Sequence, residues 1–258
     1  MQSLKEQLYI ATFQDNAIEV ASDYGVGLEI NHTCISNSLD PENRDNLIAQ
    51  IRADIAKSNT DNALLHGPFT ELYPAAIDYR SRLMAKERLE EAFKVCQAIN
   101  VNKMIVHTGW LPFIYFKGWQ AEKGAQFWQN FMADKPNDFS IYIENVLEDE
   151  PYMLKDMMEQ ISDSRIKLCL DIGHANAMTS PDILVEEWIQ VLSHYIGHFH
   201  LHNNDGTADS HGPFGEGSMN MNSIFKTIQK YCKQNVTFTV EARNCLSCME
   251  WLTEHKYI

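Results

Sequence analysis

Six short apolar runs in this chain each close on a His, Glu or Asp, and that pattern constrains the fold more than any bulk property does. In order they are His66 in ALLHGPF, His107 in KMIVHTG, Glu144 in IYIENV, Asp171 in IKLCLDIGHA, His200 in IGHFHLHNND and Glu241 in TFTVEAR. Each run is short and rich in Val, Ile, Leu, Phe or Tyr, as expected of a strand buried on both faces in a parallel sheet. The intervals between the closing residues are 41, 37, 27, 29 and 41 residues, each long enough for one strand, one helix and two loops. Strands that all end in such side chains imply a common rim where those ends meet.

Two further runs near the N-terminus bring the number of expected strands to eight: Leu8–Thr12, Gly27–Asn31, Ala63–His66, Met104–His107, Ser140–Glu144, Ile166–Asp171, Ile196–Leu201 and Thr237–Glu241. Between them lie helical segments at Asp15–Tyr24, Pro41–Lys57 and Tyr79–Ile99. In the last of these Leu83, Ala85, Leu89, Ala92, Phe93 and Cys96 keep a period near 3.6. Pro151, Pro181 and Ser218 mark the expected starts of later helices. No linker or shift in composition divides residues 1–258, which predicts a single domain. Eight strands alternating with helices close most economically as an α/β fold of the (β/α)8 TIM-barrel type, with the functional face at the strand C-terminal ends. An open doubly wound sheet would carry a Gly-rich phosphate turn after its first strand, and Phe13-Gln14-Asp15-Asn16 is no such turn.

Charge narrows the range of substrates. With 21 basic against 35 acidic residues the net charge is −14, and the densest basic spot is Arg80-Ser81-Arg82. Nucleic-acid binders gain affinity by neutralising phosphates with a basic face, so the balance counts against a polyanion without excluding one, since bound divalent cations reverse the sign locally. The start MQSLKEQLYIATFQ is charged within its first five residues, and no apolar stretch is long enough for a membrane span. Six scattered cysteines predict a reducing, cytoplasmic setting, with Cys169 buried in its strand and Cys245 and Cys248 at a helix start.

Glu144, Asp171, His200 and Glu241 close the fifth to eighth runs and would be consecutive around one side of a barrel. A single acidic residue at a strand end is usually a helix cap or an ion-pair partner. Four carboxylate or imidazole ends in succession, with His66 and His107 across from them, read as a divalent-metal site suited to Mn, Zn, Co or Fe. His174, three residues after Asp171, is a candidate for the same metal or for substrate. Asp209 and His211 can both face a cation if their loop folds over the rim. His198 and His202 share the face of His200, with His198 expected to lie deeper, while His194 and His255 read as surface or packing residues. The stretch from His107 to Ser140 carries Trp110, Phe113, Tyr115, Phe116, Trp119, Phe127 and Trp128, a set able to stack on a sugar, close as a lid or form a subunit contact. Lys117 and Arg243 are candidates for a phosphate or carboxylate on the substrate.

The strings LDIGHA, HFHLHNNDGTADSHGPFGEG and VEAR resemble those of the xylose isomerase-like TIM-barrel superfamily, over nearly the whole span from Leu28 to Glu241. That superfamily includes sugar and sugar-phosphate isomerases and epimerases as well as endonuclease IV-type abasic-site nucleases. The resemblance implies a divalent metal on Glu144, Asp171, His200 and Glu241, with Glu144 and Glu241 as proton-transfer bases and His174 as a substrate or oxyanion partner. His66, His107, Arg243, Trp110 and Lys117 are then the candidate substrate-binding residues. The nuclease branch implies a three-metal set, matched here by His66, His107, Glu144, Asp171, His174, His200, Asp209, His211 and Glu241. The expected substrate is small and polyhydroxylated, nucleic acid is the second choice, no membrane partner is expected, and a homo-oligomer would form through the aromatic segment after Pro112.

Overall fold

All eight apolar runs form strands, and the computed structural model, which describes residues 3–180 and 182–258, closes them into one parallel barrel. The strands are β1 (Leu8–Ala11), β2 (Gly27–Ile30), β3 (Ala63–His66), β4 (Lys103–His107), β5 (Ser140–Glu144), β6 (Ile166–Asp171), β7 (Ile196–Leu201) and β8 (Thr237–Val240). They are neighbours in sequence order, and β8 returns to pair with β1. The first, second and eighth expected strands end one residue early and the fourth begins one residue sooner; at the ends of the first two, side chains join the ladder. Thr12 N donates to Asn31 Oδ1 (2.8 Å), and Asn31 N donates to Thr12 Oγ1 (2.9 Å).

The helices are α1 (Ala17–Tyr24), α2 (Pro41–Lys57), α3 (Tyr79–Ala98), α4 (Lys117–Met132), α5 (Tyr152–Glu159), α6 (Ile172–Met178), α7 (Val185–Leu192), α8 (Met221–Tyr231) and α9 (Cys245–Glu254). In α3 the Asp78 side chain caps the first turn, and Ala85, Leu89, Ala92, Val95 and Cys96 are buried. Leu83, counted in the expected apolar face, is exposed instead. Pro151 sits at the entrance of α5. Ser218 does not start a helix: Asn220 caps α8, and the Ser218 hydroxyl donates to Asn204 O. Pro181 lies outside the described residues. Much of the aromatic stretch after His107 is ordinary helix, since Phe127, Trp128 and Phe131 of α4 are buried in the core. Cys245 and Cys248 open α9 as buried free thiols. Among the described residues no helix is long and apolar enough to cross a membrane.

Strand alternation sorts the core into two parts. In β7, Phe199 and Leu201 belong to the large apolar shell between barrel and helices, as Ile141 and Ile143 of β5 and Phe238 and Val240 of β8 do. The intervening residues point into the barrel, where Tyr9, Leu64, Ile105, Tyr142 and Cys169 form a separate small apolar cluster. Continuing the same alternation one step towards the C-terminal ends brings His66, His107, Glu144, Asp171 and His200 into one layer. The period of two thus places one chemically active side chain from each of β3 to β7 directly above an apolar plug.

Candidate metal centre

Glu144 is the centre of this layer. Its Oε2 lies 3.3 Å from His66 Nε2 and 3.2 Å from His107 Nε2, and its Oε1 lies 3.1 Å from His200 Nδ1 and 3.4 Å from His174 Nδ1. Around His200 Nδ1 two further carboxylates converge, Glu241 Oε2 at 3.3 Å and Asp171 Oδ2 at 3.7 Å. Above them, Asp209 Oδ2 lies 3.2 Å from His174 Nε2 and 3.0 Å from His211 Nε2. Among the donor groups that result are three that together use nine residues: His66, His107 and Glu144; Glu144, Asp171, His200 and Glu241; and His174, Asp209 and His211. Within each, the donor atoms lie within 4.8 Å of one another.

The imidazole tautomers show what these groups are built to hold. His66 Nδ1 lies 3.0 Å from Gly67 O, His174 Nδ1 2.8 Å from Asn145 O and His211 Nδ1 2.9 Å from Glu241 O. A carbonyl oxygen only accepts, so in each ring Nδ1 carries the hydrogen and Nε2 is a lone pair in the neutral form. That lone pair faces a carboxylate oxygen, acceptor against acceptor. His200 repeats the arrangement with its nitrogens exchanged: Nε2 faces Glu29 Oε2 at 3.1 Å, leaving a buried Nδ1 without a hydrogen bond among the described residues. Only a cation, proton or metal, reconciles such pairs. Imidazoles oriented by a carbonyl or carboxylate at the far nitrogen are the usual form of a metal-ligating histidine. The residues present therefore fit divalent ions.

Electrostatics agree. Burial pushes the Glu144 carboxyl up, but the neighbouring charge of His200 and His107 holds it well below the usual range. Asp171 falls to about 2 against the same burial, through His174 and His202. Burial disfavours charge on His200, yet the surrounding carboxylates raise it well above an ordinary histidine, and His211 is raised to about 9 by Asp209 and Glu241. His66 and His174 are raised likewise against their burial, whereas burial outweighs Glu144 at His107 and lowers it.

Local structure holds the ligands in place. Asp171 caps α6, accepting from His174 N at 2.7 Å, and its backbone is clamped by Asn145, whose side chain both donates to Asp171 O and accepts from Asp171 N at 2.9 Å. This explains the LDIGHA string, because the cap sets His174 one turn above Asp171. Gly173 leaves room for the His202 ring, which would overlap any Cβ there. His202 Nε2 in turn lies 3.1 Å from Asp171 Oδ1. The loop carrying Asp209 and His211 is pinned by an antiparallel bridge between Asn203 and Gly212 and by Phe214 buried beneath it. His211 takes a left-handed φ of 49°, a conformation uncommon for a non-glycine residue and typical of functional positions.

The site opens into a cavity of about 550 Å³ lined by His66, His107, Glu144, His174, Asp209, His211, Glu241 and Arg243, with Phe13, Phe69, Cys34 and Val146 supplying apolar wall. Seven of the nine residues of the expected three-metal set thus line one mouth, with Asp171 and His200 buried behind Glu144, and Arg243 is part of the same wall. Trp110 and Lys117 do not join them. They line a separate hollow, where Lys117 pairs with Asp149 (2.6 Å) and Glu150 (3.1 Å) and the buried Trp110 donates to Tyr115 O. The strand-to-helix loop after β4 turns this segment outwards, leaving Phe113, Ile114 and Phe116 exposed. His198 lies lower in the barrel, held between the Thr237 and Thr239 hydroxyls, and His255 stacks on Trp251. The sequence pattern does not single out Phe69 or Val146 of the cavity wall, Asn145, or, beneath the rim, Glu29 of β2. The signal for Glu29 was a carboxylate inside an apolar run, obscured because the run continues through Ile30.

Comparison with known proteins agrees with this architecture. The family described as “Xylose isomerase-like TIM barrel” matches residues 18–254. The uncharacterized protein MJ1311 of Methanocaldococcus jannaschii is 26% identical over 203 residues, a match spanning 70% of this chain and 64% of that protein. Among solved structures, a D-tagatose 3-epimerase-like protein superposes with a TM-score of 0.76 at 19% identity, covering 97% of this chain and 96% of the other. An AP endonuclease, family 2, from Brucella melitensis superposes with a TM-score of 0.72 at 14% identity, covering 96% and 99%. At these identities the structural likeness concerns the fold, whereas the family match spans most of the sequence. The chain belongs to the xylose isomerase-like TIM-barrel family.

Proposed function

We propose that this protein is a divalent-metal-dependent isomerase or epimerase that moves a proton next to a carbonyl of a small sugar or sugar phosphate. The observation that carries the reading is the pairing of Glu144 and Glu241, two carboxylates that line a sugar-sized cavity and approach the same His200 nitrogen at 3.1 and 3.3 Å. A divalent ion on Glu144, Asp171, His200 and Glu241 would supply Lewis-acid polarisation of a carbonyl and its adjacent hydroxyl. The two glutamates differ in freedom. Glu144 is shared among four imidazoles at 3.1–3.4 Å and is anchored, whereas Glu241 Oε2 has His200 Nδ1 at 3.3 Å and His211 Nδ1 only at 4.0 Å. Glu241 is therefore the better placed to take a carbon-bound proton, and Glu144 holds the opposite side. Phe13 and Phe69 offer apolar faces to a sugar ring, and Arg243 offers a guanidinium to a phosphate or carboxylate. Family members with epimerase and endonuclease names support an enzyme, and a reducing cytoplasm remains the proposed setting.

Glu241→Gln should keep the fold and, with metal supplied in excess to offset the altered ligand, lower turnover by about 10²–10⁴-fold. Solvent-deuterium exchange into substrate across a panel of ketoses, aldoses and their phosphates is the direct measurement. Wild-type exchange that persists unchanged in the variant would refute the assignment of Glu241.

One observation favours a second reading, phosphodiester cleavage of the abasic-site type. All three donor groups are present and two of them share Glu144, as a multinuclear hydrolase would require. Against it stand the net charge of −14 and a mouth whose lining contains Arg243 as its only Lys or Arg. Incubating metal-loaded enzyme with an abasic duplex separates the two, since cleavage supports the nuclease reading and an intact duplex removes it.

A further inference from the structure

Glu29 is fully buried inside the barrel on β2, paired in register with Ala11 and Leu64. Its Oε2 lies 3.1 Å from His200 Nε2 and accepts from Thr239 Oγ1 at 2.5 Å, and Oε1 has no hydrogen-bond partner among the described residues. The next imidazole is that of His198, 3.7 Å away. Glu29 does not line the cavity and so does not touch substrate. A buried carboxylate costs several kcal/mol unless its charge is answered, and the interior of a barrel is normally filled by branched apolar side chains. Its retention at this depth calls for a reason beyond packing.

We propose that Glu29 is the positioning residue of the metal centre, holding His200 with its hydrogen on Nε2 so that Nδ1 is presented as a lone pair to an ion between Glu144, Asp171 and Glu241. The geometry is a carboxylate–imidazole–cation line. Glu29 accepts at one end of the ring, and the other end points to where three carboxylate oxygens stand 3.1, 3.3 and 3.7 Å away. Such a carboxylate fixes the ring and makes the ligating nitrogen more basic. Thr239 holds Glu29 in turn, so β8 contributes to the site both through Glu241 at the rim and through Thr239 one step below it. The inference rests on the proposed function only in requiring a divalent ion at His200; it is independent of the reaction catalysed.

The test is Co²⁺ binding to wild type, Glu29→Gln and Glu29→Asp, read by chelator competition and by the visible absorption of the bound ion. Melting temperatures are taken with and without Co²⁺. Glu29→Gln is expected to weaken Co²⁺ binding by about 10- to 100-fold and to change the visible spectrum. Its metal-free melting temperature should stay close to that of wild type, because Gln keeps the volume and an acceptor oxygen for Thr239 and His200. Glu29→Asp, which keeps the charge, should recover part of the affinity. A residue that merely packs the barrel would lower both melting temperatures together and leave affinity unchanged. Co²⁺ affinity in Glu29→Gln within about threefold of wild type overturns the proposal. If Glu29→Gln does not fold, Thr239→Val removes the other hydrogen bond to the same carboxylate. It should weaken Co²⁺ binding several-fold, and unchanged affinity there also overturns the proposal. Wild-type protein that binds no Co²⁺ would instead remove the metal-dependent reading itself.

Discussion

Glu144→Gln is expected to weaken divalent-metal binding by more than about 100-fold and to lower turnover by about 10³-fold or more, while leaving a folded barrel. The size follows from its position. Each oxygen of Glu144 faces two imidazole nitrogens, so one substitution removes the negative charge shared by His66, His107, His174 and His200. Loss of an outer partner of a ligating histidine already lowers affinity by about 10–100-fold, and loss of a ligand common to two donor groups should exceed that. The backbone supports are independent of the side chain: β5 remains paired with β4 and β6, and Asn145 still clamps Asp171. Isothermal titration with Mn²⁺ or Zn²⁺, beside a circular-dichroism spectrum, checks both halves. A folded variant with wild-type metal affinity would show that Glu144 is not the shared ligand.

The second large effect concerns stability. Gly173→Ala should destabilise the protein by about 3 kcal/mol or more, an unusually large loss for a single added methyl group. The reason is steric and local, since the new Cβ would fall within the His202 ring. That ring cannot move freely, because it is stacked on His211 at 4.0 Å and fixed to Asp171 at 3.1 Å. His202→Ala in the same chain should relieve the overlap, so the double variant should be more stable than the sum of the single effects by about 2 kcal/mol. Urea denaturation of the four proteins measures this coupling. Simple additivity would mean that the overlap is absorbed by a shift of α6 and that His202 does not hold the loop.

The architecture was largely legible in the sequence because strands buried on both faces produce continuous apolar runs, and eight of them at barrel spacing leave little choice of topology. The rim was legible for a related reason. In IYIE and IGHFHL the ionisable residues fall at the period that points into the barrel, so Glu144 and His200 announce their direction. What the pattern could not supply was depth and loop direction. Glu29 stands in a run as apolar as the others, and only the closed barrel brings it beneath His200 from a strand 171 residues away in the chain. Trp110 and Lys117 follow His107 closely and suggest cavity residues, but the direction of the loop after β4 is set by tertiary packing, which puts them in another hollow. The Asp209-Ser210-His211 loop lay between these cases. Its ligand spacing was readable, and its folding over the rim depended on the bridge from Asn203 to Gly212.

The most direct measurement is the metal content of the protein purified without added metal or chelator, by elemental analysis against chain concentration. The arrangement around Glu144 predicts at least one Mn, Fe, Co or Zn ion per chain in the wild type and a marked loss in Glu144→Gln. One ion per chain fits the isomerase or epimerase reading, and two or three would put the nuclease reading first. Folded wild-type protein that holds no divalent ion, even after incubation with each of these metals and removal of the excess, would contradict a metal centre at this site.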